Sequence, residues 1–284
     1  MPLELAGAHG DEGHPAELMT FVLPEIHLRG GDLERAWHVA GEGTELAARL
    51  GIIASEANGA TAMTRIALLR GDFEAAIRCG HRAVEAAKRA DAPYLLSSAC
   101  CTLGSSYLEL GPELHSETQR HHAEALRALE LPMGTVMGAM AWAEVGHCVL
   151  GSGKPGMAQE LFQRGLDVPN ALMYLQRPRL LTGMASTHLA LGQLDQAERF
   201  GKEADEYVRG RAMLHYEAEL VLCVGRIALA RGDLERAAEL ASTASALARR
   251  GGCSPYWCGV GAWRRGSHAC EQTRGPGQGR PRAR

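Results

Sequence analysis

Apolar and small residues recur along the chain at helical spacings, and they do so at fixed distances from a set of glycines. The strings RGGDLERAW (29–37), RGDFEAAI (70–77), LGQLDQAE (191–198) and RGDLERAA (231–238) share a turn glycine, a polar or acidic residue, an apolar residue and a helix-opening segment. With the weaker LGPELHSE (110–117) and SGKPGMAQ (152–159), they place turn glycines at 31, 71, 111, 153, 192 and 232, spaced 40, 40, 42, 39 and 40 residues apart. A constant period of this length is the mark of stacked supersecondary units.

Upstream, the residues eleven, eight, seven and four positions before a turn glycine form an i, i+3, i+4, i+7 set on one helical face. The sets are Ala60, Met63, Thr64 and Ala67; Cys100, Leu103, Gly104 and Tyr107; Trp142, Val145, Gly146 and Val149; and Val221, Val224, Gly225 and Ala228. Their small central residues allow close helix approach. Five residues after the glycines stand Ala36, Ala76, Ser116, Ala158, Ala197 and Ala237, and twelve after them Gly43, Ala83, Ala123, Gly165, Ala204 and Ala244. The pattern predicts a helix A, a turn, and a helix B whose backbone packs closely against A and against the next repeat, where a large side chain would force them apart. Pro24 interrupts the first A helix and predicts a kink there.

This arrangement resembles the tetratricopeptide repeats, in which a large residue, L-G and then Y mark helix A and G-D-x-x-x-A opens helix B. CTLGSSYLELG (101–111) carries Leu103, Gly104, Tyr107 and Gly111 in that register. The likeness covers about residues 16–250. It implies an all-α, right-handed solenoid of about six hairpins that binds a protein or peptide in its concave groove. The period near forty departs from the family's usual thirty-four. In this respect the repeats are similar to the long, alanine- and arginine-rich ones of bacterial LuxR/MalT-type regulators and multidomain signalling cyclases, which implies the sensor or interaction part of a bacterial regulator. Small-ligand sensing, of a sugar or a nucleotide, is the competing expectation.

The ends are less regular. Residues 1–15 read as a flexible N-terminus, 16–250 as the solenoid, 251–266 as a degenerate capping helix and 267–284 as a disordered basic tail. Residues 251–284 hold six arginines and one glutamate, net +5, so the formal charge of −3 leaves −8 for the rest. A mildly acidic body argues against nucleic-acid binding. The N-terminus lacks the basic start and apolar core of a secretory signal, and no apolar run is long enough to span a bilayer. The cytoplasm is the expected compartment. Eight cysteines dispersed through helical patterns read as mostly reduced, small apolar residues.

Composition and motifs point away from catalysis. The GSGKPG stretch (151–156) lacks the strand, the upstream glycine and the hydroxyl after lysine that a phosphate loop requires, so it reads as an interhelical turn. His115, His121 and His122 read as a solvated helix face, because metal ligands on one helix need i, i+3 or i, i+4 spacing. Cys253, Cys258, His268 and Cys270 match no metal-site spacing. No catalytic residue, cofactor or metal is expected.

What remains is the groove. Positions thirteen, ten and six before the turn glycines neighbour the packing stripe and are expected to line the concave face. They include Asn58, Thr61 and Arg65; Ser98 and Ser105; Met140 and His147; Arg179, Thr182 and Ser186; and Glu219 and Arg226. The arginines suit carboxylate or phosphate recognition through their planar donor fork, and they look unpaired along the sequence.

Overall fold

The computed structural model describes residues 13–131, 135–168, 176–209 and 214–251. Among these residues all regular structure is helical, and the chain forms a right-handed α-solenoid of six hairpins. The first A helix is divided into α1 (Gly13–Glu17), a π-helical turn (Leu18–Val22) and α2 (Leu23–Gly30), followed by its B helix α3 (Leu33–Leu50). The later hairpins are α4 (Ile53–Arg70) with α5 (Phe73–Arg89), α6 (Pro93–Leu110) with α7 (His115–Ala128), and α8 (Thr135–Gly151) with α9 (Pro155–Leu166). The last two are α10 (Arg177–Ala190) with α11 (Leu194–Val208), and α12 (Leu214–Ala230) with α13 (Leu234–Arg250). Each A helix packs on its own B helix and on the neighbouring hairpins.

All six turn glycines lie at positive φ, from 73° at Gly192 to 150° at Gly111. Such backbone angles are strained for a residue with a Cβ, so glycine closes each A helix and reverses the chain. The helix that follows is capped by Asp32, Asp72 and Asp233, each accepting the backbone N–H three residues on. A carboxylate there satisfies a donor that the helix cannot pair and favours the positive end of its dipole. Lys154 caps α9 without a side-chain hydrogen bond and Pro155 opens it. GSGKPG is thus a turn between two repeat helices.

The small positions pack as expected in most repeats. Ala36, Ala76, Ala158, Ala197, Ala83, Ala204 and Ala244 are wholly buried. Phe162 fills the space left by two A-helix glycines: a Cβ on Gly146 would lie 2.6 Å from its ring, and one on Gly183 2.5 Å. Repeat three departs from the pattern, for Ser116 and Ala123 are exposed while Thr118 and Ala125 are buried. The 42-residue spacing explains the slip. A 3-10 turn at Pro112–Leu114 takes up two extra residues and starts α7 late, so the packing positions move two places along the chain. Ala237 is only partly buried.

Pro24 acts through the turn before it. Having no N–H, it leaves the Thr20 carbonyl without its usual donor, and the helix widens so that Leu23 N–H reaches Leu18 O. The Thr20 hydroxyl bonds back to Ala16 O at 2.8 Å. Among the described residues Gly13, His14 and Pro15 of the stretch expected to be flexible are already helical, in α1, which packs on α3 and buries Ala16. The basic tail and the capping helix expected beyond residue 251 lie outside the described residues.

The curvature brings the ends of the solenoid together. Helix α2 touches α12, and Leu28 shares a buried cluster with Ala218 and Ala248. The concave face is therefore walled by the first hairpin as well as by the later A helices. Among the described residues no helix is long and apolar enough to cross a membrane.

Candidate functional site

The concave face encloses a cavity of about 540 Å³, to which helices α4, α6, α8, α10 and α12 all contribute. Arg65, Ser105, His147, Arg179, Ser186, Glu219 and Arg226 line it, as expected from their offsets to the turn glycines. Asn58, Thr61, Ser98, Met140 and Thr182 do not. Thr61 and Thr182 are buried in helix packing instead, and the Thr61 hydroxyl is engaged by Ala57 O at 2.8 Å. Ser98 donates to the carboxylate of Glu144 from behind the wall. The offset of six positions thus finds the cavity in every repeat from α4 onward, while the offset of thirteen finds it only at Arg179 and Glu219, in the last two hairpins, and the offset of ten only at Cys101 and Leu222.

Arginines 65 and 179 are paired, contrary to their appearance in the sequence. Glu144 is buried in α8, and its Oε1 lies 3.6 Å from both Arg65 Nη1 and Arg179 Nη1. Arg65 Nη2 also meets Glu25 Oε2 at 2.9 Å, and Glu25 receives Arg29 at 3.2 Å and the Tyr216 hydroxyl at 3.3 Å. Glu25 therefore joins α2, α4 and α12 across 191 residues of sequence. Burial works against the Arg65 charge, but Glu25 and Glu144 outweigh it and hold the guanidinium above its ordinary value. Burial and then the Glu25 carboxylate hold the Tyr216 phenol well above its usual value, so it is a neutral donor.

His147 stands beside this network. Its Nε2–H donates to Arg179 O at 3.2 Å, and its Nδ1 lies 3.7 Å from Glu219 Oε1. Burial lowers its pKa, with Glu219 opposing, so the imidazole is neutral at pH 7. Its ring meets Phe162 edge-on at 4.9 Å, which ties the groove to the hairpin core. Burial pushes the Cys223 thiol up to about 11, which makes it an unreactive apolar wall.

Two groups of wall residues escape the six-position rule. Leu28, Leu68, Leu69, Leu108, Leu150, Leu189 and Leu222 give the cavity an apolar share. Cys101 of α6 and Cys148 of α8 are joined as a disulfide, with Cα atoms 6.6 Å apart, although the sequence suggested mostly reduced thiols. Cys79, Cys100 and Cys223 are free. His121 and His122 are 3% and 6% exposed, so the expectation of a solvated histidine face fails with the same register slip that buries Thr118. A signal for Glu144 did exist, since it is the sole Asp, Glu, Lys or Arg between Thr135 and Gly151. A lone carboxylate in so apolar a helix must find cations elsewhere in the fold.

Comparison with solved structures finds the same architecture. The apo form of RapI superposes with a TM-score of 0.58 at 13% identity, over 87% of this chain and 89% of that one. A Rap protein complexed with competence and sporulation factor gives 0.60 at 13% identity, over 89% and 74% of the two chains. BtubC from P. vanneervenii gives 0.52 at 15% identity, over 88% and 96%. At such identities the likeness is one of fold. No protein-family model matches the chain, and no curated protein does so.

Proposed function

We propose that the protein is a non-catalytic binding module that takes a short peptide segment of a partner into its concave groove. The observation that carries this reading is the wall itself. Five successive A helices contribute side chains to one cavity, and Arg65 Nε in that wall is buried without a hydrogen-bond partner. An unsatisfied buried donor is costly, and a backbone carbonyl or carboxylate of a bound segment supplies the acceptor. The leucines around it give apolar side chains a place to settle. The volume of about 540 Å³ suits a few residues rather than a folded domain.

Long-period, alanine- and arginine-rich repeats support a role as the sensor or interaction part of a bacterial regulator working in the cytoplasm. The similar Rap structure solved with competence and sporulation factor supports ligand binding by this fold. A small-ligand reading, of a sugar or a nucleotide, is favoured by one feature: α2 walls the groove, and the enclosed volume falls within the ~300–1,000 Å³ typical of small-molecule sites.

The test is selection from a random peptide library on the purified full chain, with calorimetry on the selected sequences. Peptides carrying apolar residues beside a carboxylate are expected to bind at one site per chain. A library yielding no binder, while a sugar or nucleotide panel raises Tm, would transfer the groove to the small-ligand reading.

A further inference from the structure

We propose that Cys100, His121 and Glu124 form a site for a divalent transition-metal ion of the zinc class, inside the third hairpin and outside the groove. Cys100 lies in α6, while His121 and Glu124 lie one turn apart on α7. One ligand atom from each of the three lies within 4.8 Å of the others. A sulfur and a nitrogen bound to one zinc ion stand roughly 3.5 Å apart. The cluster therefore needs to contract by only about 1 Å.

The residues offer the donor set that zinc prefers: a thiolate, an imidazole and a carboxylate. Cys100 is wholly buried and His121 is 3% exposed. His121 Nδ1 is buried and has no hydrogen-bond partner, an expensive state that a metal bond relieves. Glu124 sits at the edge of the hairpin, with its Oε1 2.7 Å from Lys88 Nζ and its carboxylate within hydrogen-bond reach of the Cys100 thiol. Three protein ligands leave a fourth position for water or an external ligand.

The Cys100 thiol hydrogen-bonds to Glu124, so a thiolate there would stand beside a carboxylate. A bound divalent ion supplies the missing positive charge, and the thiol proton passes to solvent as the metal–sulfur bond forms. His121 Nε2 accepts from Arg120 Nη2 at 3.1 Å; when Nδ1 takes the metal and Nε2 carries the ring proton, the exposed Arg120 turns aside and Glu117 Oε2, 4.0 Å away, is placed to accept the hydrogen bond of that N–H. Carboxylates in that outer position fix metal-bound imidazoles.

The experiment uses the full chain with Cys253, Cys258 and Cys270 replaced by serine, which removes the thiols beyond residue 251 as competing ligands. After chelator treatment, zinc is titrated against a chromophoric competitor and cobalt(II) serves as the spectroscopic probe. One equivalent of zinc per chain is expected, together with a thiolate-to-cobalt charge-transfer band. Cys100→Ser should abolish the band, and Glu124→Gln should weaken zinc binding by about tenfold or more. Cys79→Ser should change neither. Circular dichroism of each variant checks that the helices remain. No stoichiometric zinc binding by the parent chain, or a band that persists in folded Cys100→Ser, would overturn the assignment.

Discussion

Where B helices meet A helices, the protein uses side chains that have nothing to pair: Ala36, Ala76, Ala158 and Ala197 are wholly buried, and Phe162 is wedged against Gly146 and Gly183. Across the groove the chain does the opposite, bringing Glu25, Arg65, Glu144 and Arg179 together in a partly dry setting. The first contact recurs in most hairpins and depends on volume alone. The second occurs once and depends on charges drawn from hairpins far apart in sequence. A solenoid can thus keep its stacking generic while specificity sits in residues that break the period.

The largest effects should distinguish the two kinds of contact. Arg65→Met leaves buried Glu144 and Glu25 short of a cation and is expected to cost ~3–5 kcal/mol in denaturant unfolding. Adding Glu144→Gln should recover part of that loss. Phe162→Ala should cost a similar ~3–5 kcal/mol by opening a cavity, yet Glu144→Gln should recover nothing. If both single variants respond alike to the second change, the distinction between charge and volume fails.

A pH series probes the junction of the two regions at His122, a cavity-lining residue whose ring also meets Gly104. Burial, with His121 adding to it, lowers the His122 pKa to about 4. A histidine depressed in the folded state contributes stability that is complete above its unfolded pKa near 6.5 and is lost as pH falls toward 4. The loss attributable to His122 is on the order of 3 kcal/mol. His122→Asn should flatten the slope of unfolding free energy over that window, and an unchanged slope would contradict the burial account.

Smaller changes should follow local rules in either region. Asp72→Ala removes the cap on Ala75 N–H and should lower stability by ~1 kcal/mol, seen as a lower urea midpoint.

The regular region was legible in the sequence because its causes are local: a glycine at positive φ, a cap, and small residues one helical face apart. Repeat three shows how far that goes, since two extra residues at Pro112–Leu114 shifted Thr118 and Ala125 into the packing positions and buried His121 and His122. The groove was half legible. Arg65, His147, Arg179 and Arg226 follow the period, but their carboxylate partners do not. Glu25 meets Tyr216 over 191 residues, a distance set by the solenoid's curvature, which no single repeat encodes.

The central claim is that the cavity enclosed by the five A helices is where the ligand sits. Ser186 lines it without taking part in the Glu25–Arg65–Glu144–Arg179 network. Calorimetric titration of a library-selected peptide into wild type and Ser186→Phe tests the claim most directly. The account predicts that the larger side chain fills the cavity and weakens binding by tenfold or more, about 1.4 kcal/mol, with the helices intact by circular dichroism. Undiminished affinity in the folded variant would place the ligand elsewhere.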